Sequence, residues 1–321
     1  MLPLSCTQYI LLLVLVCSNL LYVAAGSNPN ELISGHAFST LATWNLDPRY
    51  TVKFEPDKVK DGDTFFINCA IHGLVKHLQK LPSNFKFVII EHNCDHSFKK
   101  NVMDLLIPFA KRIYSMNNIC GEECMPLMRN IPLGFCDSHA EGESSDAFSV
   151  TGGEHVHPDK AHSIFRKVAI QNQASPKQHL VFVNFKVSTN KKMRLPCQAA
   201  FKNQPWATFH ESGLSPMETY DMTAKSKYVI SPPGTGIDCH RVYEAIYLGA
   251  VPVVITSHLD YFYKNLPVVI VKDWNDVTEQ YLNSHFEEDH KKLIEWKKRY
   301  INWTRPEFWI SGGDGGPFSL L

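Results

Sequence analysis

Three stretches hold side chains whose types and spacing could do chemistry. The first, Ser231-Pro232-Pro233-Gly234-Thr235-Gly236, runs through Asp238 and His240 to Arg241 and Glu244. Two prolines end a strand there, and Gly234 and Gly236 let backbone approach a bound group. A helix opening at Asp238 would offer its unpaired N–H groups and positive dipole end to an anion. Arg241 and Glu244, three apart on one helical face, could take a phosphate and a sugar hydroxyl, while His240 could contact base, sugar or phosphate. The second stretch, Thr189–Arg194, follows an apolar run and offers Arg194 as a further diphosphate contact. The third, Glu91-His92-Asn93-Cys94-Asp95-His96, crowds acids and histidines behind another apolar run. Asp95, Glu91 or His92 could act there as a general base, with His96 as a rival.

Other polar groupings read as scaffolding. Asp61-Gly62-Asp63 has the form of a metal-binding D-x-D, but it precedes a strand as a turn would. His92 and His96 lack an assured helical spacing for a metal, and His155, His157 and His162 read as solvated. No metal site and no cofactor is expected.

Positioning these groups takes alternating strands and helices. The pattern predicts strands at Thr64–Asn68, Phe85–Ile90, Arg112–Ser115, Asn130–Phe135, His179–Phe185, Lys227–Ile230, Val251–Ile255 and Leu266–Val271. Helices are expected near 31–38, at 71–79, 102–112, 161–170 and 215–225, from Asp238 to Leu248 before Gly249, and at 287–302, with Asp273–Asp276 capping a helix after the last strand. Lys186–Lys192 reads as a polar turn. Glu141–Lys160 breaks the rhythm with Ser, Gly and acidic residues and reads as a linker. Strands alternating with helices imply an α/β fold with parallel strands.

The composition narrows the function. The chain has 321 residues and balances 32 basic against 32 acidic side chains, which argues against a sequence-blind nucleic-acid binder. Tyr9–Ala25 is apolar enough for a signal peptide or a retained signal anchor, with Val23-Ala24-Ala25 suited to cleavage before Gly26. No other segment suggests a membrane contact. Of nine cysteines, Cys6 and Cys17 lie in that segment. The rest suit two or three disulfides in an oxidising lumen, with Cys239 the first candidate for a free thiol and Cys120/Cys124 a disulfide or thiols rather than half a zinc site. Asn302-Trp303-Thr304 is a glycosylation sequon.

The run SPPGTGIDCHRVYEAIYLGAVPVVI, with LPVVIVKDW after it, resembles the nucleotide-sugar-binding half of exostosin-like glycosyltransferases of family 47. In that family a P-G loop, an R-x-x-E-A helix and a G-x-[IV]-P-V strand follow in this order. VFVNFKVSTNKKMR, KFVIIEHNCDH and RNIPLGF resemble its upstream strands, and residues 27–60 and the tail match nothing in it. The resemblance implies a GT-B fold, two Rossmann-like domains facing a cleft, after an N-terminal signal or anchor segment. The expected divisions are 1–26, an acceptor-side domain at 27–170, a donor domain at 171–303 and a tail at 304–321, of which the glycine-rich Ser311–Leu321 is expected to be loose. It further implies transfer, with inversion, of a sugar from a UDP-linked donor to a glycan or glycoprotein acceptor. Ser231, Gly234, Gly236, Asp238, His240, Arg241, Glu244 and Arg194 would hold the donor. The address would be the Golgi, as a type II membrane protein or in the lumen, with secretion if the leader is cut. A non-catalytic carbohydrate- or nucleotide-binding protein of the same fold, and a histidine-based metal hydrolase, are the competing readings.

Overall fold

The computed structural model describes residues 32–50, 52–120, 124, 127–136, 158–211 and 213–310. Local sequence sets the elements. In helix α2 (Ile71–Leu78) the buried residues are Ile71, Leu74, Val75 and Leu78, one stripe at the helical period. Strand β3 (Phe87–Glu91) is buried along most of its length because strands flank it on both sides and helices lie on its faces.

The first sheet contains β1 (Trp44–Asn45), β2 (Thr64–Ile67), β3, β4 (Ala110–Ser115) and β5 (Met128–Asn130). Their order in the sheet is their order in the chain, and every pairing is parallel. Helix α1 (Gly35–Ser39) precedes this sheet, and α3 (Lys100–Leu106) links β3 to β4. The second sheet contains β6 (His179–Asn184), β7 (Ala207–His210), β8 (Ser226–Ile230), β9 (Val251–Ile255) and β10 (Val269–Val271). It is again wholly parallel, but its order is β10-β9-β8-β6-β7. The chain moves outward from β6 to β7, then crosses back to lay β8 on the other side of β6. That reversal makes the carboxyl ends of β6 and β8 the topological switch point, the place where α/β sheets take ligands.

The α/β class with two parallel sheets is thus present as expected. Several elements differ in detail. Edge strand β7 lies outside the expected strands, and the polar turn at 186–192 contains the start of helix α5 (Lys191–Phe201), whose N-cap is Asn190 accepting from Met193 N–H. The 102–112 helix stops at Leu106 and lets β4 begin at Ala110. Pairing with β4 ends strand β5 at Asn130, so Ile131–Phe135 is a coil rather than the expected strand. A short helix, α8 (Asp260–Tyr263), follows β9; Asp273 and Asp276 form a capping box on a short 3-10 turn, and Thr278 caps the long helix α9 (Glu279–Arg299).

Helix α4 (Pro158–Gln171) precedes the second sheet and shares a core with α6 (Pro216–Ala224) and α7 (His240–Leu248) through Phe165, Val168, Tyr220 and Val242. Within the expected tail, residues 306–310 form α10, bury Trp309 and return to the first unit, where the Tyr114 hydroxyl donates to Ile310 O; Ser311–Leu321, the part expected to be loose, lies outside the described residues. Among the described residues two disulfides, Cys69–Cys94 and Cys120–Cys124, lie in the first unit; Cys136, Cys197 and Cys239 are buried, and Cys197 and Cys239 are free thiols. No helix among the described residues is long and apolar enough to cross a membrane; the apolar leader and residues 141–157 of the linker, with His155 and His157, lie outside them. His162, expected in solvent, is buried in α4 beside Phe135 and Phe165, because that face of the helix joins the common core.

Candidate functional site

Helix α7 starts at His240, with Cys239 as N-cap and no side-chain cap, and no acid lies in its first turn. The expected cap, Asp238, does different work. Its buried carboxylate accepts from Leu133 N–H (2.9 Å), Cys239 N–H (2.9 Å), the Tyr243 hydroxyl (2.5 Å) and the Tyr263 hydroxyl (2.8 Å). Burial pushes its pKa up, against the pull of those four donors. With its oxygens so occupied, Asp238 ties the first unit to the loop rather than reaching a ligand.

The two glycines also have a different cause from the expected one. A Cβ at Gly236 would lie 2.7 Å from the Asn117 amide nitrogen, and one at Gly234 would lie 3.1 Å from an Arg194 nitrogen. The space is needed by the protein itself. Asn117, held at φ 53°, accepts from Asp238 N–H (2.8 Å) and donates to Cys94 O (3.3 Å). Arg194 is buried, donates to Pro233 O (3.0 Å) and Lys186 O (2.8 Å), and so braces the loop from below. Asn190 adds a bond to Gly234 O at 2.7 Å. Burial first, and Arg241 second, lower the Arg194 pKa to about 10, which leaves it charged at neutral pH. His240 gives Nδ1 to Gly134 O at 2.8 Å, another tie between the units.

What remains open is a smaller set. Arg241 is half-buried and has no hydrogen-bond or ion-pair partner among the described residues, although Arg194 is close enough for the two charges to repel. Glu244, one turn along, is half-buried too and accepts no hydrogen bond there; burial raises its pKa while His240 and Arg241 pull it down. Ser231 is 3% exposed, and its Oγ has no partner. One unpaired guanidinium, a partnerless hydroxyl and an uncapped helix start at a topological switch point suit an anionic ligand, and Glu244 beside them suits hydroxyl groups on it.

Across from this set, the three candidate bases divide. Glu91, at the end of β3, is 1% exposed and accepts from Ser115 Oγ at 2.7 Å. Burial raises its pKa to about 8, so it is mostly protonated at pH 7 and closed to solvent. His92 is buried, with Nδ1 facing Asn93 Oδ1 at 3.0 Å and Nε2 facing Pro132 O at 3.1 Å. Asp95 is exposed, on the loop anchored by the Cys69–Cys94 disulfide, and so is His96. Asp61 and Asp63 are engaged at the amino end of β2, where Asp61 Oδ1 takes Lys86 N–H and Asp63 Oδ2 takes the Trp44 indole N–H and Lys60 N–H. Among the described residues no three His, Cys, Asp or Glu side chains gather as a metal-binding group. Asn302 is exposed just beyond α9.

Sequence reasoning missed Asn117, Asn190, Tyr243 and Tyr263. Asn190 carries a readable signal, a preferred N-cap type three residues before Met193. Asn117 carries a weaker one, since asparagine tolerates positive φ, but its partner lies 121 residues away. No known protein-family model matches the chain, and no curated protein matches its sequence.

Proposed function

We propose that the chain is a glycosyltransferase of GT-B architecture, similar to the exostosin-like enzymes, that moves a sugar from a nucleoside diphosphate donor, UDP-linked, to a glycan or glycoprotein acceptor. One observation carries the reading: Arg241 stands unpaired beside Arg194 and an uncapped helix start, at the carboxyl ends of β6 and β8. In this reading the donor diphosphate lies across that helix start, Arg241 neutralises the leaving group, and Glu244 accepts from ribose hydroxyls. Arg194 acts on the ligand through the loop it braces.

The acceptor hydroxyl attacks the anomeric carbon on the face away from the diphosphate. Asp95, the solvent-reachable member of the three candidate bases, takes its proton. The stereochemistry inverts. No cofactor enters, since the guanidinium groups supply the charge stabilisation. The leader and the exposed sequon suit a lumenal address in the Golgi, anchored or released.

Calorimetric titration of the purified chain with UDP tests the donor site. Wild type binds; Arg241→Ala weakens binding by about tenfold or more, the loss of one charge-assisted contact. No binding, or binding indifferent to that change, ends the reading. A second reading, a non-catalytic binder, draws on the closure of Glu91 and His92. UDP release from a panel of UDP-sugars with glycan acceptors separates the two: turnover that falls about a hundredfold or more in Asp95→Asn favours the enzyme, and binding without release favours the binder.

A further inference from the structure

The hydroxyl of Ser231 is a buried donor that the fold leaves without a partner. Its direction follows from the strand that carries it. Side chains alternate along β8: Tyr228 and Ile230 pack into the core that includes Cys197 and Phe286, whereas Val229 packs on the other face with Phe182, Ala245 and Ala250. Ser231, two residues past Val229, faces the same side as Val229, toward α7.

Its height follows as well. Two strand residues rise about 6.6 Å and four helical residues about 6 Å, so the step from Val229 to Ser231 matches the step from Ala245 back to Arg241. Arg241 and Ala245 share one helical face. The Cys239 thiol donates to Pro232 O at 3.4 Å, which holds the first turn of α7 against the residue next to Ser231. A partnerless hydroxyl, a partnerless guanidinium and an uncapped helix start therefore meet at one point. All three are suited to an anion with oxygen acceptors, and burying such a hydroxyl without a partner is costly.

We propose that Ser231 is a phosphate ligand, its hydroxyl donating to an oxygen of the donor's diphosphate beside Arg241. The proposal rests on the nucleoside diphosphate reading above and assigns one contact within it. The test titrates the full chain, wild type and Ser231→Ala, with UDP, inorganic pyrophosphate and uridine, and records the melting temperature of each protein without ligand. Ser231→Ala is expected to weaken UDP and pyrophosphate by a similar factor, about tenfold, and to leave uridine within about twofold. The ligand-free variant melts at or above the wild-type temperature, since an unsatisfied hydroxyl is gone.

UDP binding by wild type that Ser231→Ala leaves unchanged overturns the assignment alone. Equal weakening of UDP and uridine moves the contact to the nucleoside and also overturns it. A ligand-free melting temperature well below wild type makes the hydroxyl structural and overturns the assignment as well. Failure of wild type to bind UDP or pyrophosphate removes the donor reading and the assignment together, and Arg241→Ala distinguishes that case because it too changes nothing.

Discussion

The two sheets handle the polar groups at their carboxyl ends in opposite ways. In the first, Arg49 forks onto the buried Asp47 at 2.9–3.2 Å and donates to Asn93 O, while Asn93 donates to Asp47 and to the Tyr50 hydroxyl. Glu91 has Ser115, and His92 has Pro132 O. In the second, the side chains of Arg241, Glu244 and Ser231 make no hydrogen bond among the described residues. The difference tracks topology. Five strands laid down in chain order never reverse, so their end loops can lie against one another; at the β6/β8 reversal the two end loops are held instead by Asn190 and Arg194, at the point where such sheets take ligands. One region therefore satisfies most of its polar groups in advance, the Asn118 Nδ2 excepted, and the other keeps a cation, an acid and a hydroxyl in reserve.

The joint between these regions should respond most to substitution. Asp238→Ala would strand two N–H groups and two tyrosine hydroxyls in a buried place, and should cost about 3–5 kcal/mol of stability in urea titrations. A cost below about 1 kcal/mol would mean that the 231–238 loop does not depend on the first unit.

Glu91 tests how completely the first sheet satisfies its own groups. Its folded pKa of about 8 lies above the ordinary 4.5, so between those pH values the folded chain holds a proton that the unfolded chain releases. The associated stability is fully present below about pH 4.5 and falls as the pH rises through about 8, by on the order of 2–5 kcal/mol. Glu91→Gln should flatten that fall, with little difference at pH 4. Thermal melts of both proteins across this range check the sign; stability that rises with pH in the wild type relative to the variant refutes it.

Gly236 sharpens the contrast at the loop itself. Gly236→Ala pushes a methyl group into the Asn117 amide and should cost about 1–3 kcal/mol, with part recovered in the double variant that also carries Asn117→Ala. Simple additivity in the double-mutant cycle would show that the close approach does not set the glycine requirement. The smallest stability effect belongs to Asp95→Asn, expected within about 0.5 kcal/mol of wild type by denaturant unfolding because the side chain is exposed, so any lost turnover belongs to chemistry rather than to folding.

Much of this architecture is legible in the sequence. The apolar runs at 64–68, 85–90, 179–185 and 251–255 read as buried strands, and strands form there at 64–67, 87–91, 179–184 and 251–255; Gly249 is placed to end α7, which it does at φ 80°. Arg241 and Glu244 stand out by type and spacing within nine residues of helix. Asp238 reads as a cap and is not one, for a reason local sequence cannot correct: its donors come from Leu133 and Tyr263 as well as from the next turn. The same holds for the glycines, whose neighbours Asn117 and Arg194 are distant along the chain. Short-range chemistry is readable, and which side chain fills a given space is not.

The return of α10 to the first unit bears on how the chain is made. Tyr114 and Ile310 stand 196 residues apart, so the first sheet leaves the ribosome long before the segment that covers its side. Until Trp309 and Ile310 emerge, the surface around Tyr114 is an open seam, and a chain truncated at about residue 303 carries that seam permanently. The last residues of this segment thus act as a clasp on the first ones folded, and a nascent chain held short of them would present apolar surface to chaperones rather than a finished amino-terminal half.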